Sequence, residues 1–144
     1  MKIELSDVHP ENPLPGASWI DSHVHFDGFE REGVLADLFK RASAAGVEGM
    51  IAIGGSDEAN ERAVRIATER PGIVSAVVGY DRDFAEKSWD TEGLRAMIRE
   101  HRRWIVGVGE SGLDYHYEPQ SASLQKKLFS DMLEVAAESV LPIV

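Results

Sequence analysis

The chain has 144 residues, 43% of them hydrophobic and 28% charged, which is the size of one ordinary domain with enough apolar material for a core. Fifteen Lys and Arg against 25 Asp and Glu leave a formal charge of −10, which argues against non-specific electrostatic binding to a polyanion unless a metal or a local basic patch intervenes. No cysteine is present, and this excludes a disulfide framework, thiolate metal ligands and a Cys nucleophile.

Residues 1–18 carry three prolines and read as an N-terminal extension. Ile3 and Leu5 alternate with polar neighbours, which predicts partial packing. The start lacks the apolar core of a secretory signal, and no later stretch approaches the roughly 20 apolar residues of a membrane span. A soluble, cytoplasmic protein without membrane contact is the expectation. Trp19-Ile20-Asp21-Ser22-His23 then forms a first short apolar run. Val34, Leu35, Leu38, Phe39 and Ala42 make a helical stripe that ends at Gly46. A second run at residues 49–53 precedes a weaker stripe of Ala59, Ala63, Val64, Ile66 and Ala67, stopped before Pro71-Gly72. A third run at 74–78 is followed by a stripe of Leu94, Met97 and Ile98, with Thr91 as a possible N-cap. The fourth run, residues 105–109, leads to the longest stripe, Leu124, Leu128, Met132, Val135 and Ala136, begun by Ser121 or Ser123. Leu141-Pro142-Ile143-Val144 is a fifth run.

Short continuous apolar runs suit strands of a parallel sheet buried on both faces, and their alternation with helices is the mark of βαβ units. Two α/β architectures share this pattern, a doubly wound open sheet and a (β/α)8 barrel of the TIM type. A complete barrel takes about 250 residues, so residues 18–144 amount to about half of one.

The most specific chemical feature is Asp21-Ser22-His23-Val24-His25-Phe26 at the end of the first strand. Residues two apart on a strand point to the same face, so His23 and His25 can present both imidazoles to one divalent ion, with Asp21 as a supporting partner. The second is Val106-Gly107-Val108-Gly109-Glu110-Ser111-Gly112-Leu113-Asp114-Tyr115, in which an apolar strand delivers one carboxylate flanked by glycines. A Glu at such a strand end can bridge two divalent ions, one on each oxygen.

These motifs, with Gln125-x3-Phe129-x2-Met132-Leu133 ahead of Leu141-Pro142, resemble the TatD family of metal-dependent deoxyribonucleases, within the amidohydrolase-like barrels. The resemblance runs through residues 19–144 in order and spacing. It implies the N-terminal half of a (β/α)8 hydrolase domain and favours the barrel over the open sheet. It further implies that His23 and His25 bind one divalent ion, and that Glu110 is a ligand and catalytic group able to bridge to a second. The ions would be Mg, Mn or Zn, and a water they activate would attack DNA or a small phosphodiester. Three departures stand out. Gly79-Tyr80-Asp81-Arg82 replaces the family's Gly-x-His-Pro, Met132 replaces a Gln, and the family's remaining ligands, two His and a late Asp, fall beyond residue 144, so this stretch holds at most a partial site.

Other candidates carry less. Asp81 and Asp83 could stand in for the missing His but fit better as loop caps, and Tyr115 and His116 could line the site entrance. His9 and the cluster His101-Arg102-Arg103 lack context, and Trp19, Trp89 and Trp104 read as core or rim packing. Two further readings stay open: a related amidohydrolase-type enzyme cleaving an ester, lactone or amide, and a non-catalytic half-barrel that self-associates through exposed strand edges.

Overall fold

In the computed structural model, which describes residues 18–117 and 119–144, four of the apolar runs pair side by side as parallel strands. They are β1 (Trp19–Val24), β2 (Val47–Gly55), β3 (Val74–Tyr80) and β4 (Ile105–Val108), in the order 1-2-3-4. The crossovers are α1 (Asp27–Arg31) with α2 (Leu35–Ala44), then α3 (Asp57–Glu69), then α4 (Thr91–Glu100), and α5 (Ala122–Ser139) follows β4. The expected packing of residues 1–17, and His9 with it, lies outside the described residues. The fifth run stands where the alternation expects it, but it meets β4 through one bridge, Val108 to Ile143, and not as a full strand. The Val108 N–H donates to the Pro142 carbonyl at 2.9 Å, and the Val144 N–H donates to the Val108 carbonyl at 2.8 Å.

Local chemistry explains most element ends. The stripe of α2 stops at Gly46, whose φ of +83° suits a residue without a Cβ. Ser56, extended in backbone, caps α3 by accepting from the Ala59 N–H at 3.2 Å. The cap of α4 is Asp90 rather than Thr91, because Asp90 keeps an extended backbone while its carboxylate takes the Gly93 N–H at 2.9 Å. Thr91 is already the first helical residue. The short helix α1 was not legible as a stripe; five residues are too few to show a period.

The helices cover one face of the sheet only. Met50, Ala52, Val74, Ala76 and Val78 of the strands share a buried cluster with Ala63, Ile66 and Ala67 of α3, Leu94 and Ile98 of α4, and Leu128 and Met132 of α5. The buried Met132 is thus core packing. On the other face Ile20 is 70% exposed and Val106 37% exposed, along a shallow apolar groove of about 530 Å³. Burial on both faces, expected from the apolar runs, holds only in part: the helices bury one face, while on the other Ile53 and Val77 are buried and Ile20 and Val106 stay exposed. Right-handed crossovers that always advance to the next strand return on the same side. A doubly wound sheet needs a reversal of strand order, and none occurs here, so the arrangement is that of a barrel wall. Trp89 and Trp104 pack against the edge of the core, with Trp89 Nε1 donating to the Asp131 carboxylate at 2.9 Å, while Trp19 is exposed.

Tyr80, 2% exposed, ends β3 with its hydroxyl donating to the Asp57 carboxylate and accepting from the Asp90 N–H at 3.3 Å. Burial pushes its phenol up from 10.0 to about 12, and the Asp57 carboxylate adds to the shift. The folded state therefore holds a proton that the unfolded chain releases first, so this contribution is intact below pH 10 and is lost as pH rises towards 12. Tyr80→Phe should cost about 1.5 kcal/mol at neutral pH. Urea denaturation of this variant should also show a smaller alkaline loss of stability than the parent chain.

Candidate metal centre

The carboxyl ends of β1 and β4 carry the predicted ligands, and irregularities in the ladders aim them. Asp21 of β1 pairs with Met50 and Val24 with Ala52, so three steps of β1 match two of β2. Such a bulge bends the strand and redirects side chains. His23 lies within it, and its N–H is taken by the Asp21 carboxylate at 3.1 Å. Asp21 thus supports the main chain of the bulge rather than an imidazole, which corrects the role expected for it.

The two histidines converge as the same-face spacing predicts, with Nε2 atoms 3.1 Å apart. Glu110 reaches them from β4. One of its oxygens lies 3.0 Å from His23 Nε2 and the other 3.7 Å from His25 Nε2. Among the described residues, His23, His25 and Glu110 form the group able to hold a metal ion. An ion at about 2.0–2.2 Å from each ligand atom holds those atoms roughly 3.0–3.5 Å apart. The 3.0 and 3.1 Å separations fall in that range and the 3.7 Å one lies just above it, and two imidazoles with one carboxylate are a suitable donor set for a divalent ion.

Backbone proximity sets the height of Glu110. The Gly109 N–H donates to the Val78 carbonyl at 2.9 Å, and Gly79 lies so close that a Cβ there would stand 2.7 Å from the Gly109 nitrogen. Gly109 itself has a φ of +146°, open to glycine and strained for other residues. Beyond Glu110, Gln125 of α5 is fully buried and grips the following loop through Asp114. Its Oε1 accepts from the Asp114 N–H at 2.8 Å and its Nε2 donates to the Asp114 carbonyl at 2.9 Å. The N–H groups of Tyr117 and His116 and the nearby Arg82 hold the Asp114 carboxyl below the usual range.

A groove of about 640 Å³ opens from the cluster towards α1 and α3. Asp81 lines it together with Glu110 and caps the turn at residues 82–84, accepting from the Asp83 N–H at 2.8 Å. Burial pushes the Asp81 carboxyl up, and the charges of Asp83 and Glu110 add to this. Tyr115 and His116 do not join the cluster; the His116 ring packs edge-on against Tyr117, with centroids 4.6 Å apart. His101 sits at the end of α4 and pairs with the adjacent Glu100 at 3.9 Å. Two features went unread in the sequence. One is the set of ion pairs joining Glu30 of α1 to Arg62 and Arg65 of α3. The other is the buried Asn60, which only its polarity on the stripe of Ala63, Val64 and Ala67 could have signalled.

The family model described as TatD related DNase matches residues 20–144. The chain belongs to the TatD family. TatD relatives include the uncharacterized metal-dependent hydrolase YabD of Bacillus subtilis (strain 168), 30% identical over 127 residues, which cover 86% of this chain and 48% of that protein. The 3′-5′ ssDNA/RNA exonuclease TatD of Cronobacter sakazakii is 33% identical over 110 residues, 74% of this chain and 40% of that one. Among solved structures, YJJV, a TatD homolog from Escherichia coli K12, superposes with a TM-score of 0.77 at 30% identity, covering 87% of this chain and 49% of that one. A TatD family hydrolase from Entamoeba histolytica, at 16% identity and a TM-score of 0.73, shares the fold, with 88% of this chain matched to 48% of its own. The chain thus spans about half the length of the TatD proteins it matches. Among the described residues no helix is long and apolar enough to cross a membrane.

The closeness of Gly79 and Gly109 leaves no flexible side chain to yield. Gly79→Ala should therefore lower stability by about 2 kcal/mol or more, read as a fall in the thermal melting midpoint.

Proposed function

We propose that residues 19–144 are the N-terminal half of a TatD-type (β/α)8 hydrolase domain, in which His23, His25 and Glu110 hold a divalent cation for phosphodiester hydrolysis. The observation that carries this reading is the convergence of two imidazole nitrogens and a carboxylate above the strand ends, with separations of 3.1, 3.0 and 3.7 Å. A cation held there supplies Lewis-acid activation of water and stabilises charge on phosphoryl oxygens. Glu110 turns one oxygen to each histidine, which suits it to serve one ion and reach a second, with Mg, Mn or Zn as candidates.

Single-stranded DNA or a short phosphodiester is the favoured substrate class. The Cronobacter relative's name, a 3′-5′ ssDNA/RNA exonuclease, supports nucleic acid over an amide or lactone. The groove beside the cluster carries Asp27, Glu30, Glu58 and Asp81 against Arg31 and Arg62. That acidic balance disfavours a long phosphate track and favours a strand end brought in by the cation. β1 stands at the end of the strand order with its outer edge unpaired among the described residues, which supports self-association through that edge.

The test is release of nucleotides from a labelled single-stranded oligonucleotide in the presence of Mn2+. Hydrolysis is expected to fall about 100-fold or more in His23→Ala and in Glu110→Gln. Against a parent chain that hydrolyses the oligonucleotide, unchanged rates in both variants would overturn the assignment.

A further inference from the structure

Asn60 sits one turn into α3, 1% exposed, with its side chain turned towards the carboxyl ends of β2 and β3. There the ladder is irregular. Ile53 pairs with Val77 and Gly55 with Tyr80, so β3 carries one residue more than β2 across this interval. Gly79 lies in that interval, and the Asn60 amide pairs with both of its backbone groups. Oδ1 accepts from the Gly79 N–H at 3.0 Å, and Nδ2 donates to the Gly79 carbonyl at 3.0 Å. The same Oδ1 accepts from the Gly55 N–H at 3.3 Å. A primary amide offers one acceptor and one donor side by side, as a neighbouring strand's peptide would, so Asn60 completes the ladder where the bulge interrupts it.

The arrangement leaves no slack. A Cβ on Gly54 would fall 1.9 Å from Asn60 Oδ1, and a Cβ on Gly79 would fall 2.7 Å from both the nitrogen and the oxygen of Gly109. Glu110 follows directly. A continuous series of tight contacts therefore runs from Asn60 through Gly79 and Gly109 to the carboxylate that meets His23 and His25. We propose that Asn60 is a positioning residue of the metal centre, which sets the placement of Glu110 relative to the histidine pair by locking the bulge at Gly79. This rests on the reading of His23, His25 and Glu110 as metal ligands. Asn60 touches neither ion nor substrate; it acts through backbone.

Cobalt(II) is a suitable probe, because its visible absorption reports both occupancy and the geometry of its ligands. Co2+ is titrated into the 144-residue chain and into Asn60→Ala, His23→Ala and Ile66→Ala, with melting temperatures recorded in parallel. Ile66 is buried on the same helix, so its truncation destabilises α3 without touching Gly79. Asn60→Ala should bind Co2+ about tenfold more weakly, with a changed absorption band. Ile66→Ala should bind as the parent does, despite its lower melting temperature. Parent-like affinity and spectrum in Asn60→Ala would overturn the positioning role while leaving the ligand set intact. Equal weakening in Ile66→Ala would also overturn it, by reducing Asn60 to general stability. Identical binding by His23→Ala and the parent would instead overturn the ligand assignment, and the positioning role with it.

Discussion

The arrangement of the site depends on the approach of β4 to β3 at two glycines. Gly79 and Gly109 bring their backbones together at a distance that no side chain could share. Glu110 is thereby delivered to the end of the sheet rather than left to swing on a loop. The opposite partner is equally constrained, since the bulge in β1 aims His23 while the Asp21 carboxylate satisfies its N–H. Side chains held at strand ends need little reorganisation to receive a ligand, and this is where barrel enzymes of many chemistries build their sites.

One-sided coverage of the sheet follows from the same topology. Each crossover advances by one strand and returns on the same side, so the apolar faces of α2 to α5 bury one surface, while the other is open as a groove beside Ile20, Ile51 and Val106. In a closed barrel that inner surface is filled by side chains from facing strands. The outer wall is also tied electrostatically. Burial would raise the Glu30 carboxyl, but hydrogen bonds from Arg62 and Arg65 outweigh it and hold Glu30 below the usual range. The pair of guanidinium groups fixes α1 against α3 beside the groove.

Much of this was legible in the chain itself. Continuous apolar runs separated by stripes of helical period specified parallel βα units, because the two periods bury different geometries. The spacing of His23 and His25 specified a shared face, since a strand repeats every two residues. Asn60 stayed hidden because a polar residue inside an apolar stripe carries no mark of its partner nineteen positions away. Asp21 was misread for a related reason. Its ordinary role would be to orient a ring, and only the bulge frees a backbone N–H two residues on for it to accept.

The sequence by itself determined the order of elements, the family and the three candidate ligands, because all of these reside in local period and motif. Which face of the sheet would be covered, and how far Glu110 stands from the histidines, were decided only by tertiary structure. Both depend on strand register and on backbone contact between residues thirty positions apart, and no local pattern encodes a distance across a sheet.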